Sequence, residues 1–551
     1  MLALAFPKPG WAALAWLAPG TLLGAGLGAR GWQRLRLGYL AGCVHYLVSL
    51  HWLLFIPFPA GAIAGWLALS AYLALYPACW LGLCLWWAPG CEPPTLPGVS
   101  PPLPGTEPGF SLPGRVPWWR GALWYAACAA AWVAWEMVVG RFLTGFPWNF
   151  LGVSQYRVVP LVQIASITGV YGVSFLVAWT SVAFLGGARR WAAELARPVL
   201  NPRGRGLALG GGAGAMRATL LADVALPLAA VLVAAGWGAG RVFQPVLPVR
   251  ELRVALIQPS IPQELIFDPR ETTNRFRALL DLSRLALATQ PDLLVWPEAS
   301  LPSLSEADYQ AITNLVATHR VWMIFGADDA TRQPAPANGY DYFNAAFLFS
   351  PGGHYVATYH KRRLVIFGEY VPLAEWLPVV KRLTPIEDGF TPGGTPVPFR
   401  LTEPPANLGI LICFEDVFPG LARTEVAPDT DFLLNLTNDG WFGESAAQWQ
   451  QAANAGFRAI ENGLPLVRCT NNGLTCWIDA WGRWREAGVG EGRDVYAPGF
   501  TTVAVPLRPA GHPRPPTFYH RYGDWFGWAC VAVTLLLTAR PSLCRGRHPS
   551  A

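Results

Sequence analysis

Long apolar stretches fill the first half of this chain, and no other feature constrains its folding as tightly. About 20 apolar residues in helical form cross the roughly 30 Å hydrocarbon core of a bilayer. Runs of that kind lie near residues 36–56, 60–88, 119–142, 159–186 and 219–240, with one more near 523–539. Backbone polar groups find no water in hydrocarbon, so each run is expected to be a helix. Residues 3–29 are apolar too, but Pro7, Pro9, Pro19 and several glycines interrupt them. They read as one full span or a short helical hairpin, and not as a cleaved leader, since more spans follow and no clean cleavage site does. Composition agrees: 14% of residues are charged, against about 25% in soluble proteins.

Charge orients the spans. Residues 1–250 hold sixteen Lys and Arg against five acids (Glu92, Glu107, Glu136, Glu194 and Asp223) in a chain of net charge +6, so residues 251–551 carry −5. A basic excess confined to the hydrophobic half marks loops facing the cytoplasm. It does not mark nucleic-acid binding, because no basic helix or aromatic–basic repeat is present. Arg30, Arg34 and Arg36 follow the first apolar run, and six arginines fill residues 187–218. Placing both loops inside sends residues 243–520 across the membrane. The last span then returns to a tail with Arg540, Arg545 and Arg547. In a bacterium this means a multi-pass inner-membrane protein with a periplasmic domain. The expected division is a multi-span domain at 1–242, a soluble domain at 243–520, and a span with a cytoplasmic tail at 521–551.

From residue 250 the pattern changes. Short apolar runs (Val254–Gln258, Leu293–Trp296, Val321–Phe325, Asn344–Phe349, Leu408–Cys413, Phe432–Leu436, Leu464–Arg468, Thr501–Val505) alternate with helical candidates at 271–289, 305–319 and 445–462. Such alternation predicts an α/β domain with one layered core. The ten cysteines include no CxxC pair and the eight histidines no zinc spacing, so no metal or cofactor is expected. Whether Cys469 and Cys476 pair is open at this stage.

Three residues stand out chemically. Cys413 ends the apolar part of LGILICFED, where α/β proteins place reactive groups; a buried structural thiol reads the same way. Glu298 follows a strand in LLVWPEAS, beside Trp296, and suits a general base for a thiol; a solvated loop carboxylate is the plainer alternative. Lys361 is one of only three lysines, with Lys8 and Lys381, against 38 arginines. In so biased a composition, a surviving lysine suggests a compact ammonium aimed at one oxyanion, although chance survival is the alternative. His319, His354 and His360 sit in poor settings for a Cys–His pair.

The blocks WPEAS, YHKRRLVIFGEYVP and ICFED, in that order, resemble the signatures of the nitrilase superfamily of carbon–nitrogen hydrolases. With spans before and after them, the whole chain resembles its membrane-bound branch, the bacterial apolipoprotein N-acyltransferases. FPWN at 146–149, QPSIPQ at 258–263, NLTNDGWFG at 435–443 and FRAIENGLPLVRCTNNG at 457–473 add to the likeness. The resemblance implies a polytopic α-helical membrane domain plus a nitrilase-like αββα sandwich. It implies Glu298 as general base, Lys361 as oxyanion stabiliser and Cys413 as nucleophile, with Glu369, Glu415 and Asn344 supporting the site. Trp148 and Trp441 fall in the matching blocks as candidates for substrate contact. Two positions depart from the family pattern: Phe414 stands where Tyr is frequent, and Phe267 where Trp is frequent.

The activity implied is transfer of an acyl chain from a membrane phospholipid, through a Cys413 thioester, to the α-amine of a diacylglyceryl-cysteine on an apolipoprotein. A membrane-tethered amidase using the same residues with water as acceptor is a second reading. A transporter or scaffold with an inert domain is a third, for which Glu136 and Arg141 are the intramembrane charges.

Overall fold

The computed structural model describes residues 1–88, 118–200, 212–243, 250–266, 268–302, 304–333, 339–372, 389–490, 495–509 and 515–544. Its first half is a helical bundle: α1 (Ala18–Gly26), α2 (Trp32–Ser49), α3 (Pro59–Trp86), α4 (Trp118–Val139), short α5 (Val159–Val162) and α6 (Ala165–Thr168), then α7 (Val170–Leu200) and α8 (Gly212–Val242). Among the described residues, four helices are long and apolar enough to cross a membrane: Pro59–Trp86, Trp119–Val139, Val170–Arg189 and Asp223–Val242. Ala12–Gly26, Val159–Thr168 and Trp525–Ala539 are apolar but shorter.

Three expected spans need correction. The run at 159–186 becomes a continuous helix only from Val170, because Gly169 takes φ +67° and splits off α5 and α6. A Cβ at Gly169 would stand 2.7 Å from the Tyr519 ring. The run at 36–56 is α-helical only to Ser49, and His51–Phe55 is a 3-10 turn. Residues 12–26 form a single short helical run after a separate turn at Leu2–Ala5. The Pro- and Gly-rich stretch at 92–117 lies outside the described residues, as does most of 203–214.

Helices α2 and α3 meet backbone to backbone. Gly38 and Gly42, one turn apart on α2, face Ala78 and Ala74 of α3. A Cβ on Gly38 would stand 2.6 Å from Ala78 Cα, and one on Gly42 2.8 Å from Ala74 Cα. Lipid tails are as apolar as side chains, so close packing of small residues has to hold such helices together.

Chain reversals sort the helix ends onto two sides. At one end Arg34 donates to the carbonyls of Ala29 and Leu85, and Gly24 meets Leu185. At the other, the loops touch the second half of the chain: Gln163 Nε2 donates to Trp481 O, and Gln450 Nε2 to Pro7 O. Arg30, Arg34, Arg36 and Arg189 therefore sit at the bundle end away from the second half.

The second half is a four-layer sandwich. Its elements are β1 (Glu251–Gln258), α9 (Gln263–Ile266), α10 (Thr272–Leu287), β2 (Leu293–Val295), α11 (Glu306–His319), β3 (Trp322–Arg332), β4 (Tyr340–Phe349), β5 (Tyr355–His360), β6 (Phe399–Thr402), β7 (Pro405–Ile412), α12 (Pro419–Thr424), β8 (Phe432–Thr437), α13 (Ala447–Asn462), β9 (Leu466–Thr470), β10 (Cys476–Ile478), β11 (Trp484–Arg485) and β12 (Gly499–Pro506). Then α14 (Phe518–Tyr522) and α15 (Trp525–Cys544) return to the bundle, where Gly527 meets Met137 of α4. One sheet has the order β12-β1-β2-β3-β4-β5 and the other β11-β10-β9-β8-β7-β6. In each, three parallel strands (β1–β3 or β7–β9) are extended by antiparallel ones.

Strand side chains alternate between faces. Leu256, Val295, Ile324, Ile410, Leu434 and Val467 meet between the sheets. Ala255, Leu294 and Met323 pack outward on Leu279 and Ile312 of α10 and α11. Leu411, Leu433 and Leu466 pack on Ala422, Ala452 and Ala459 of α12 and α13. The opposite side of α13, with Ala453, Phe457 and Ile460, joins Val153, Tyr156 and Val170 of the bundle. This is the αββα arrangement expected from the sequence. Cys469 and Cys476 are both free and fall in cores on opposite faces of their sheet, so they do not pair.

Gly38→Leu should force α2 from α3 at a cost of about 1–3 kcal/mol. The expected result is a lower thermal unfolding midpoint in detergent, followed by tryptophan fluorescence. Leu40→Ala, at an exposed position on the same helix, should leave the midpoint unchanged.

Candidate active site

The parallel strands end at one edge of the sandwich, and the chain leaving that edge carries the polar residues. Glu298 follows β2, in a bend closed by Ser300 Oγ donating to Pro297 O at 2.7 Å and by Ala299 at φ +53°. Lys361 follows β5, Cys413 follows β7 and Asn438 follows β8.

Lys361 is 1% exposed. Its Nζ donates to Glu298 Oε1 at 3.0 Å and to Glu369 Oε1 at 2.8 Å. Asn344 Nδ2, on β4, donates to the same two oxygens at 2.8 Å each. The outer oxygens take backbone donors: Asn438 N to Glu298 Oε2 and Val365 N to Glu369 Oε2, both at 2.8 Å. Burial acts to lower the ammonium's pKa, but Glu298 and Glu369 outweigh it and hold it well above the usual lysine value. Lys361 is therefore charged and immobile.

Cys413 turns the chain out of β7 with φ +52°, a sparsely populated conformation for a residue with a Cβ. It opens the 3-10 turn Cys413–Val417. Its carbonyl accepts from Asn435 Nδ2 at 3.0 Å and Gln451 Nε2 at 2.9 Å, which fixes the strained turn. Burial and the negative charge of Glu298 push the thiol well above its usual pKa, with Lys361 and Thr437 pulling the other way. At neutral pH it is a thiol.

Glu415 joins the lysine and cysteine segments. Oε1 accepts from the N–H groups of Arg362 (2.7 Å) and Arg363 (2.9 Å), and Oε2 from Ile412 N (2.8 Å) and Tyr359 Oη (2.9 Å). Four donors converge on one fully buried carboxylate.

The structure brings together Glu298, Lys361, Glu369, Asn344, Cys413 and Glu415. Phe414 packs on Phe146, Trp148 and Phe418, with ring centroids 5.9, 6.0 and 5.0 Å apart. Trp148 is buried and donates to Gln450 Oε1 at 2.7 Å, so the bundle reaches the residue next to the cysteine. Trp441 is partly exposed in the turn Asp439–Phe442. Phe267 lies outside the described residues. His360 pairs with Asp329 and stacks on Phe343, away from the thiol. Arg141, just past α4, pairs with Asp524, just before α15, and Glu136 Oε1 accepts from Trp132 Nε1 and Leu151 N, so both charges are engaged in contacts within the fold.

Sequence reasoning gave no role to Asn435, Thr437, Asn438, Asp439, Gln451 or Arg468. The signal was there for two of them: Asn435 and Thr437 are polar positions within the wholly buried strand FLLNLT.

A two-sheet sandwich of this topology, carried on an apolar helical bundle, is the architecture of a membrane-bound carbon–nitrogen hydrolase. The carbon–nitrogen hydrolase family model matches residues 253–494, and the apolipoprotein N-acyltransferase N-terminal domain model matches residues 1–183. The apolipoprotein N-acyltransferase of Geobacter metallireducens is 34% identical over 98% of this chain and 93% of its own length. That of Caulobacter vibrioides is 30% identical over 95% of each. Among solved structures, an amidase from Nesterenkonia sp. covers 47% of this chain and 92% of its own, at 18% identity and TM-score 0.34. The chain belongs to the apolipoprotein N-acyltransferase family, a membrane acyltransferase branch of the carbon–nitrogen hydrolases.

Glu415→Gln would set an amide N–H₂ against donors in a dry site, and each buried donor left unpaired costs about 1–3 kcal/mol. The expected outcome is a lower unfolding midpoint together with loss of Cys413 reactivity toward iodoacetamide. Retention of both would remove Glu415 from this junction.

Proposed function

We propose that this protein N-acylates the diacylglyceryl-cysteine at the N-terminus of apolipoproteins, drawing the acyl chain from a membrane phospholipid through a Cys413 thioester. The observation that carries the reading is a buried ammonium–carboxylate pair whose charges both act on one strained cysteine, next to Phe414, which packs on Trp148 where the bundle meets the sandwich.

In the first half-reaction Glu298 takes the Cys413 proton as sulfur attacks the ester carbonyl. Lys361 and the leading backbone N–H groups of the Cys413 turn, which lack intrahelical partners, hold the tetrahedral oxyanion. Glu298 returns the proton to the leaving alkoxide, and lysophospholipid departs. In the second, the lipoprotein α-amine attacks the thioester and Glu298 takes its proton. The amide forms and Cys413 leaves as a thiolate, which regains its proton from Glu298. Both substrates are anchored by acyl chains, and moving a chain into water costs about 0.8 kcal/mol per CH₂. A site at the bundle surface avoids that step.

The division at 1–242, 243–520 and 521–551 follows the same reading, with the sandwich on the periplasmic side of the inner membrane. Its support is the position of Arg30, Arg34, Arg36 and Arg189 at the bundle end away from the sandwich, as the positive-inside rule requires.

Mass spectrometry of the protein incubated with phospholipid should find an acyl adduct on Cys413. Cys413→Ala should lose it, and Glu298→Gln should fold but fail to form it; a normal adduct in Glu298→Gln would sink the proposed base.

For sidedness, cysteines placed at Leu285 or Arg30 in a Cys413→Ala background should differ. A membrane-impermeant maleimide should reach the first in intact spheroplasts and the second only after lysis.

A further inference from the structure

Behind the cysteine lies a buried polar chain that the mechanism above does not use. Thr437, at the end of β8, is fully buried. Its hydroxyl donates to Asp439 Oδ1 at 3.3 Å. Ile412 of β7 pairs with Leu436 of β8, so Cys413 and Thr437 are the next residues on neighbouring parallel strands, and the Thr437 hydroxyl pulls the thiol's pKa down. Asp439 Oδ2 faces Arg468 Nη2 at 3.6 Å, and both groups are fully buried. At that separation neither atom has a hydrogen-bond partner. Arg468 also pairs with Asp416, whose other oxygen accepts from Gln451 Nε2 at 3.1 Å.

A hydroxyl has one hydrogen to give. While Asp439 is ionised it claims that hydrogen, and the sulfur gets none. Once Asp439 carries a proton it can donate to Thr437 Oγ1, and the hydroxyl is free to turn to the sulfur. We propose that Thr437 is a further catalytic residue, swinging its hydroxyl from Asp439 to the Cys413 sulfur as Glu298 removes the thiol proton. Asp439 and Arg468 are the positioning residues that govern the swing. The Thr437 O–H bond stays intact throughout; only its direction changes. The proposal rests on Cys413 being the nucleophile.

Asp439 titrates where this matters. Burial raises its pKa to about 7, with Arg468 opposing and Asp416 and Glu298 adding to the rise. Tyr496 is a further titratable group within its field. Above that pH the ionised carboxylate both withholds the Thr437 hydrogen and repels a thiolate.

The test is the rate of Cys413 alkylation by iodoacetamide, read peptide by peptide by mass spectrometry between about pH 6 and about pH 9. At about pH 6, where Asp439 carries its proton, Thr437→Val should slow it about tenfold, the equivalent of one hydrogen bond of about 1.4 kcal/mol to a charged group. Thr437→Ser should restore it to within about threefold, a rescue that loss of packing would not allow. In Asp439→Asn, Arg468 offers only donors, so the amide oxygen turns toward it and the amide N–H₂ toward Thr437. The ratio of that variant's rate to the wild-type rate should therefore rise with pH through about 7. Wild-type speed in Thr437→Val, or a ratio flat with pH, would overturn the proposal. A wild-type Cys413 that neither alkylates nor forms an acyl adduct would instead overturn the nucleophile on which it rests.

Discussion

The Lys361 ammonium, sealed between two carboxylates, is the constraint the rest of the site obeys. Taking an ion out of water costs several kcal/mol even after relaxation, and only good geometry with further hydrogen bonds offsets it. Here Nζ has Glu298 on one side and Glu369 on the other, while Asn344 bonds both acids at once. Each carboxylate's remaining oxygen takes a backbone N–H, from Asn438 or Val365. No member can shift without leaving a charge uncompensated. Segments distant in the chain are therefore locked at one edge of the sandwich, and the reacting groups inherit that fixity. A pre-organised cation needs no reorganisation when charge develops on a substrate oxygen.

The same field keeps the cysteine off at rest. Glu298 and burial raise the thiol's pKa, so a standing thiolate is disfavoured although Lys361 is close. A free thiolate would also meet oxidants. In the mechanism proposed above, coupling proton removal to attack would restrict nucleophilic character to the moment a carbonyl is in place. The left-handed backbone at Cys413 belongs to the same design, because it turns the chain sharply at the end of β7. That strain is held by Asn435 and Gln451 on the Cys413 carbonyl and by the four donors on Glu415.

Much of this was legible in the sequence, for identifiable reasons. Parallel strands buried on both faces read as continuous apolar runs, so β1, β2, β3, β7, β8 and β9 stood out, and the alternating helices fixed the layers. The outer strands β6 and β11 and their short neighbour β10 are two to four residues long, too short for a pattern. The break at Gly169 was hidden because apolarity runs on through it; the kink sits at the positive φ of Gly169, where the Tyr519 ring, 350 positions away in the chain, leaves no room for a Cβ. Cys413, Glu298 and Lys361 could be singled out, by strand-end position for the first two and by lysine scarcity for the third. Thr437 showed only as a polar position in the apolar run FLLNLT, and Asp439 and Arg468 not at all, because what marks them is a shared buried space that only the folded sheet creates. Phe414 read as a lost hydroxyl; in the structure its ring is a contact with the bundle.

That contact is one half of how the bundle and the sandwich act as a unit, and α13 is the other. Helix α13 is buried on nearly every side yet rich in glutamine and asparagine, a combination stable only if each amide finds partners. Gln450 Oε1 accepts from Trp52, Trp148 and Asn149, and its Nε2 donates to Pro7 O and Ser49 O. Its neighbour Gln451 bonds the Cys413 carbonyl and Asp416. Consecutive helical residues point about 100° apart, so one residue grips the bundle's loops while the next grips the Cys413 turn. An apolar interface would adhere without fixing its register, because dispersion contacts tolerate sliding. Amides do not, since a displaced one leaves a buried donor or acceptor unpaired. Polar burial at this junction therefore ties the position of the cysteine to the position of the bundle helices, as the acyl transfer proposed above requires.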